Sequence, residues 1–127
     1  MATHAPAADL GRPAVEFELP GTDGDAETYP EDGFPRMVEL APSLSFPYLH
    51  DESQAVAKAY EAVCTPDFFG FDANLRLRYR GRLDASRKEA APEGTPRELY
   101  EAMLQIAATG AGPAVQTAAI GCSIKWR

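Results

Sequence analysis

The sequence predicts an α/β fold with a small mixed sheet, a C-terminal antiparallel hairpin and about three helices. Three observations carry this reading. Residues 75–83, LRLRYRGRL, alternate strictly, with Leu75, Leu77, Tyr79 and Leu83 on one side and Arg76, Arg78, Arg80 and Arg82 on the other. The apolar run Phe68 to Phe71 and the polar turn Asp72-Ala73-Asn74 come just before it, so the two strands form a hairpin. Thr95-Pro96-Arg97-Glu98 then reads as a helix start, with Thr95 as N-cap, Pro96 in the first turn and Glu98 three residues on. Leu99, Ala102, Met103 and Ile106 recur at helical spacing behind it, and Gly110 stops the helix.

The earlier elements follow in order. Residues 1–13 are rich in alanine and proline and are expected to be a flexible arm before one domain over 14–127. AVEFEL at 14–19 alternates as a short strand, and LPGTDG is a turn. Thr28-Tyr29-Pro30-Glu31 has capping-box spacing, but Pro35 would break a helix begun there, so Asp32 is the better N-cap. Phe34, Met37, Val38 and Ala41 then share a face, and Pro42 ends the helix. Phe46 to Leu49 reads as a short strand, confined by Pro47 to an edge or to a strand start. Asp51 is expected to cap the next helix, whose inner stripe is Val56, Ala59, Tyr60 and Val63. The tail from Gly112 shows no period.

The chain has 127 residues, 45% of them apolar, enough for one domain with a core. No run approaches the ~20 apolar residues of a membrane span, and the start is not a secretory leader, so a cytoplasmic location without membrane partners is expected. Net charge is −7 and unevenly spread: residues 1–63 hold 12 acids and 3 bases, residues 64–127 hold 7 acids and 9 bases. That balance argues against a nucleic-acid partner. The arginine row reads as the solvated face of an outer strand. Two cysteines, Cys64 and Cys122, are too few for a disulfide scaffold, and they form neither a CxxC nor a zinc-spaced set with His4 and His50. No metal and no cofactor is expected. His50 reads as a solvated loop histidine.

At Cys64-Thr65-Pro66 a family comes into view. Residues 46–84, FPYLHDESQAVAKAYEAVCTPDFFGFDANLRLRYRGRLD, resemble the C-terminal half of a thioredoxin-fold protein, and more narrowly the redoxins related to alkyl hydroperoxide reductases and thiol-specific antioxidants. The ending GCSIKWR and the segment DAETYPEDGF resemble one bacterial and archaeal subgroup of them. The resemblance implies a truncated thioredoxin-like fold, a cis proline at Pro66, and a substrate loop at Thr65 and Pro66 that faces a redox cysteine. It also implies thiol–disulfide or peroxide chemistry on a protein disulfide or a peroxide, in an antioxidant role. The family's cysteine-bearing strand–helix–strand is absent, because Gly24 is followed directly by Asp25 and a βαβ unit takes roughly 30 residues.

Two readings of function follow. In the first, a redox protein, Cys64 or Cys122 supplies the thiol. Cys64 follows a helix C-terminus, the wrong end of the dipole for a thiolate, and equally reads as a small core residue. Pairing of Cys64 with Cys122 would close a long loop, and spacing leaves that open. In the second, the chain is a non-catalytic binding or assembly module, or a truncated gene product, whose sheet edges would favour a homo-oligomer.

Overall fold

The computed structural model describes residues 2–4, 11, 13–14 and 34–126. The expected strand at 14–19, its turn and the helix starts at Thr28 and Asp32 lie outside the described residues. The described chain is mixed α/β, with three α-helices and a hairpin, as the sequence predicts. Backbone contacts divide it into two compact units, Val15–Tyr60 and Met1–Ala14 with Glu61–Trp126.

The smaller unit contains helix α1, Phe34–Leu40, a 3₁₀ turn at Ala41–Ser43 and helix α2, Ala55–Ala59. Pro42 lies in the 3₁₀ turn that follows α1, where it has no amide hydrogen to continue a helix. Phe34 is buried, and the His50 ring sits tilted against it, with centroids 5.2 Å apart. His50 is therefore half-buried beside an aromatic ring, not the solvated loop residue expected. Asp51 is not the N-cap of α2 as expected: Gln54 holds that position, and Asp51 reaches the helix only through its Oδ2, which accepts the Ala57 amide at 2.8 Å. The strand expected at Phe46 to Leu49 does not form. Phe46 is exposed, Pro47 lacks a ladder donor, and β propensity without a partner strand does not hold a strand.

In the larger unit the hairpin consists of β3, Phe68–Phe71, and β4, Leu77–Gly81, antiparallel with Phe69 opposite Arg80. Leu77 and Tyr79 are buried, as the alternation predicts. The strand begins later than Leu75, which is 62% exposed and has a positive φ of 57°. Asp72 causes this shortening. Its Oδ1 accepts the amides of Asn74 and Arg76 at 2.9 and 3.0 Å, so the turn consumes residues that the pattern assigns to β4.

The Arg76 amide bond, the Arg78 guanidinium at 2.7 Å and the Asn74 amide all favour the ionised carboxylate and hold the Asp72 pKa below its ordinary value of 3.8. A carboxylate with a lowered pKa stabilises the fold above the unfolded value and loses that contribution as pH falls through the folded one. Acid unfolding monitored below pH ~4 is therefore expected to be less steep in Asp72→Asn than in the wild type. Equal slopes would show that Asp72 is not a source of the acid sensitivity.

Helix α3, Glu98–Thr109, lays Ala102 and Ile106 against Tyr79, with Phe68, Leu99 and Met103 around them. Each large apolar side chain buried here contributes about 1.5–3 kcal/mol. Gly110 ends the helix in the left-handed region, its amide donating to the Ile106 carbonyl at 2.8 Å. The helix starts at Glu98 and not at Thr95. Glu98 is committed to Arg82, through contacts of 2.6 and 3.0 Å.

The arginine row is only partly the solvated face expected: Arg76 is exposed, Arg78 and Arg82 are half-buried, and Arg80 is buried. Arg76 donates to the Gly11 carbonyl, Arg78 pairs with Asp72, and Arg82 pairs with Glu98. Arg80 pairs with Asp67 at 2.9 Å, and both side chains are almost wholly buried, at 3% and 2% exposure. Alternation identifies a face of a strand but not what covers it. Here the segment leading into the hairpin covers it: Arg80 also donates to the Glu61 carbonyl at 2.8 Å and lies 4.7 Å over the Phe69 ring.

The tail, which shows no period, forms strand β5, Ile120–Ser123. It joins β1, Ala2–His4, and β2, Cys64–Thr65, in the order β1-β5-β2. Every pairing among the described residues is antiparallel, where a mixed sheet was expected. Nor is the N-terminal arm loose at its described positions. Besides β1, Gly11 and Ala14 donate to the Leu77 and Leu75 carbonyls at 2.7 Å, and Pro13 bridges Arg76. Before reaching β5 the tail also covers the outer edge of β4. The Gln116 side-chain amide accepts from the Arg80 amide at 2.9 Å and donates to the Arg78 carbonyl at 2.8 Å, standing in for a strand residue.

Candidate functional site

The site expected at Cys64, Thr65 and Pro66 is held by β2 and β5. β2 is only two residues long and ends at Pro66, and the Thr65–Pro66 peptide is cis. Ile124 donates to the Val63 carbonyl at 3.0 Å, and the ladder pairs Cys64 with Ser123 and Thr65 with Cys122. Gly121 makes this closeness feasible. A Cβ at that position would run into the Thr65 carbonyl, so only glycine lets β5 lie so near β2.

The register decides the fate of the two thiols. Residues directly opposite in an antiparallel pair share a face, and neighbours along a strand alternate faces. Cys122 therefore shares a face with Thr65, while Cys64 points to the other. Cys64 is 1% exposed and lies with Ala119 and Val63 in a small core, its Sγ 3.9 Å from the Ala119 carbonyl. Cys122 is exposed. Both are thiols, and with Cβ vectors on opposite faces of the sheet a Cys64–Cys122 disulfide cannot form without breaking the ladder. The structure thus brings Cys122 to the proline loop and takes Cys64 away from it.

Thr65, Pro66 and Cys122 line a groove of about 660 Å³. Its apolar wall is Pro66, Leu83 and Ile120, and its polar rim is Ser86, Arg87, Lys88 and Glu89, with Arg82 behind. The rim comes from the polar loop after β4. There Asp84 Oδ1 accepts both the Ser86 amide, at 2.8 Å, and the Ser86 hydroxyl, and these bonds hold the Asp84 carboxyl below its ordinary range. Among the described residues neither Arg87 nor Lys88 forms an ion pair. The sequence reading missed these two cations. The only signal was Arg-Lys directly after an Asp-Ala-Ser turn, in a loop whose neighbour in space, Cys122, is more than thirty residues away. Among the described residues there is no group of three or more His, Cys, Asp or Glu that could hold a metal. Nor is there a helix long and apolar enough to cross a membrane.

Two solved structures share this architecture. An uncharacterized conserved protein from Geobacillus kaustophilus matches at 32% identity with a TM-score of 0.84, over 100% of this chain and 97% of its own. The chain belongs to the family of that protein. A hypothetical protein from Sinorhizobium meliloti matches at 29% identity with a TM-score of 0.82, over 98% of each chain. No family model and no curated protein matches. In this member of the family, then, the exposed thiol, the cis-proline loop and the basic rim stand together on one groove, and the buried thiol lies behind the sheet.

Proposed function

We propose that the chain is a thiol-dependent redox protein of thioredoxin-like lineage in which Cys122 is the reacting thiol. The observation that carries this is the Thr65–Cys122 register, which pairs an exposed cysteine with the Thr65–Pro66 loop on one groove. The order of elements around Cys64-Thr65-Pro66 supports the lineage. Cys64 serves as a core residue.

The chemistry is thiol–disulfide exchange. The Cys122 thiolate attacks one sulfur of an external disulfide, that S–S bond breaks, and the departing thiolate takes a proton. Cys122 is left in a mixed disulfide. Cys64 cannot resolve it from the opposite face, so a second external thiol attacks the mixed disulfide and returns Cys122 to the thiol. The net result is transfer of a disulfide between external thiols, with a single protein sulfur taking part.

The test is intact-mass measurement after exposure of the native protein to hydroxyethyl disulfide. One adduct per chain is expected for the wild type and for Cys64→Ser, and none for Cys122→Ser. A native protein that forms no adduct, or forms it on Cys64, sinks the redox reading and leaves a non-catalytic binding or assembly module.

A further inference from the structure

We infer, resting on that redox reading, that the groove selects a small disulfide or thiol bearing carboxylates, held by Arg87 and Lys88 with its sulfur at Cys122. Size is the first argument. A groove of about 660 Å³ falls within the roughly 300–1,000 Å³ range of small-molecule sites. The second is the distribution of polarity. Pro66, Leu83 and Ile120 offer apolar surface for the carbon skeleton of a ligand, while Arg87, Lys88 and Glu89 come together from the loop after β4.

Charge is the third. Of the four charged side chains on the groove, Arg82 is already neutralised by Glu98. Arg87 and Lys88 remain against a single Glu89, so the rim is net cationic. It is cationic on a protein whose net charge is −7. A net-cationic rim draws an anion and repels a cation. The Thr65 hydroxyl adds a donor for a carboxylate oxygen, whereas that of Ser86 is already given to Asp84. The reaction itself is the exchange above: the ligand's S–S bond breaks, one half leaves as a thiol, and the other remains on Cys122 with its carboxylates toward Arg87 and Lys88.

Three probes of similar size separate the possibilities: 3,3′-dithiodipropionate as anion, hydroxyethyl disulfide as neutral compound and cystamine as cation. Adduct formation on Cys122 is timed by mass spectrometry for wild type and Arg87→Ala/Lys88→Ala, each rate divided by that of a small model thiol. The wild type is expected to favour the anionic over the cationic probe by about fivefold, the factor that two exposed ion pairs supply. That preference should vanish in the double variant and at high salt. Arg87→Glu/Lys88→Glu should reverse it. An order of rates unchanged among the three proteins overturns the inference while leaving Cys122 as the reactive thiol. Absence of adducts with every probe fails the redox reading itself.

Discussion

Replacing Arg80 by leucine is expected to cost about 3–5 kcal/mol of folding stability, measured by urea unfolding. The Arg80–Asp67 pair is desolvated on both sides, at 3% and 2% exposure. Taking two charges out of water is costly, and mutual attraction in a medium of low polarity offsets that cost only while both are present. With the guanidinium gone, the Asp67 carboxylate would stay buried with no counter-charge. Its Oδ1 already has no hydrogen-bond partner, so nothing nearby takes over. The Glu61 carbonyl would lose its donor as well, and the face of Phe69 its cation. The companion Asp67→Leu/Arg80→Met is expected to recover most of the loss, because an apolar pair of similar volume carries no desolvation penalty. If Arg80→Leu does not fold, the double variant still should. A single variant within about 1 kcal/mol of the wild type would show that the pair is solvated and that this account of the site is wrong.

The same pair shows where sequence reading stops. The hairpin and α3 were legible because their signals are local: strict alternation for β4, and Leu99, Ala102, Met103 and Ile106 at helical spacing. The arginine face was legible as a face, and the burial of Arg80 within it was not, since that burial comes from Asp67 and Glu61 folding across it. β1 and β5 escaped for a related reason. Ala-Thr-His and Ile-Gly-Cys-Ser have neither alternation nor strong β propensity, and each is a strand only because its neighbour is there. Conversely, Phe46 to Leu49 has propensity and no partner. At the site, the burial of Cys64 could be argued from its place between a helix end and a proline. The meeting of Thr65 with Cys122 could not, because register between distant segments leaves no mark on either. The basic rim was hidden in the same way: Arg87 and Lys88 acquire meaning only from the sulfur that the tail brings beside them.

Gly121→Ala is the second large effect, and it separates packing from chemistry at that junction. The added Cβ would occupy the space of the Thr65 carbonyl, and a backbone carbonyl cannot rotate aside as a side chain can. β5 must then move off β2, losing the Cys64–Ser123 and Thr65–Cys122 pairings at a cost of about 1–3 kcal/mol. Cys122→Ala, one residue along, adds no atom and keeps the strand, so its stability should stay near that of the wild type. Gly121→Ala keeps the thiol and changes where it sits. Its expected signature is therefore faster amide exchange in Ile120–Ser123, together with a Cys122 that still reacts with disulfides but no longer distinguishes the anionic probe from the cationic one. That combination follows only if the Thr65 register holds the sulfur against the basic rim. Unchanged exchange and unchanged selectivity would mean that β5 finds its position without β2, and that the groove owes its shape to the loop after β4 alone.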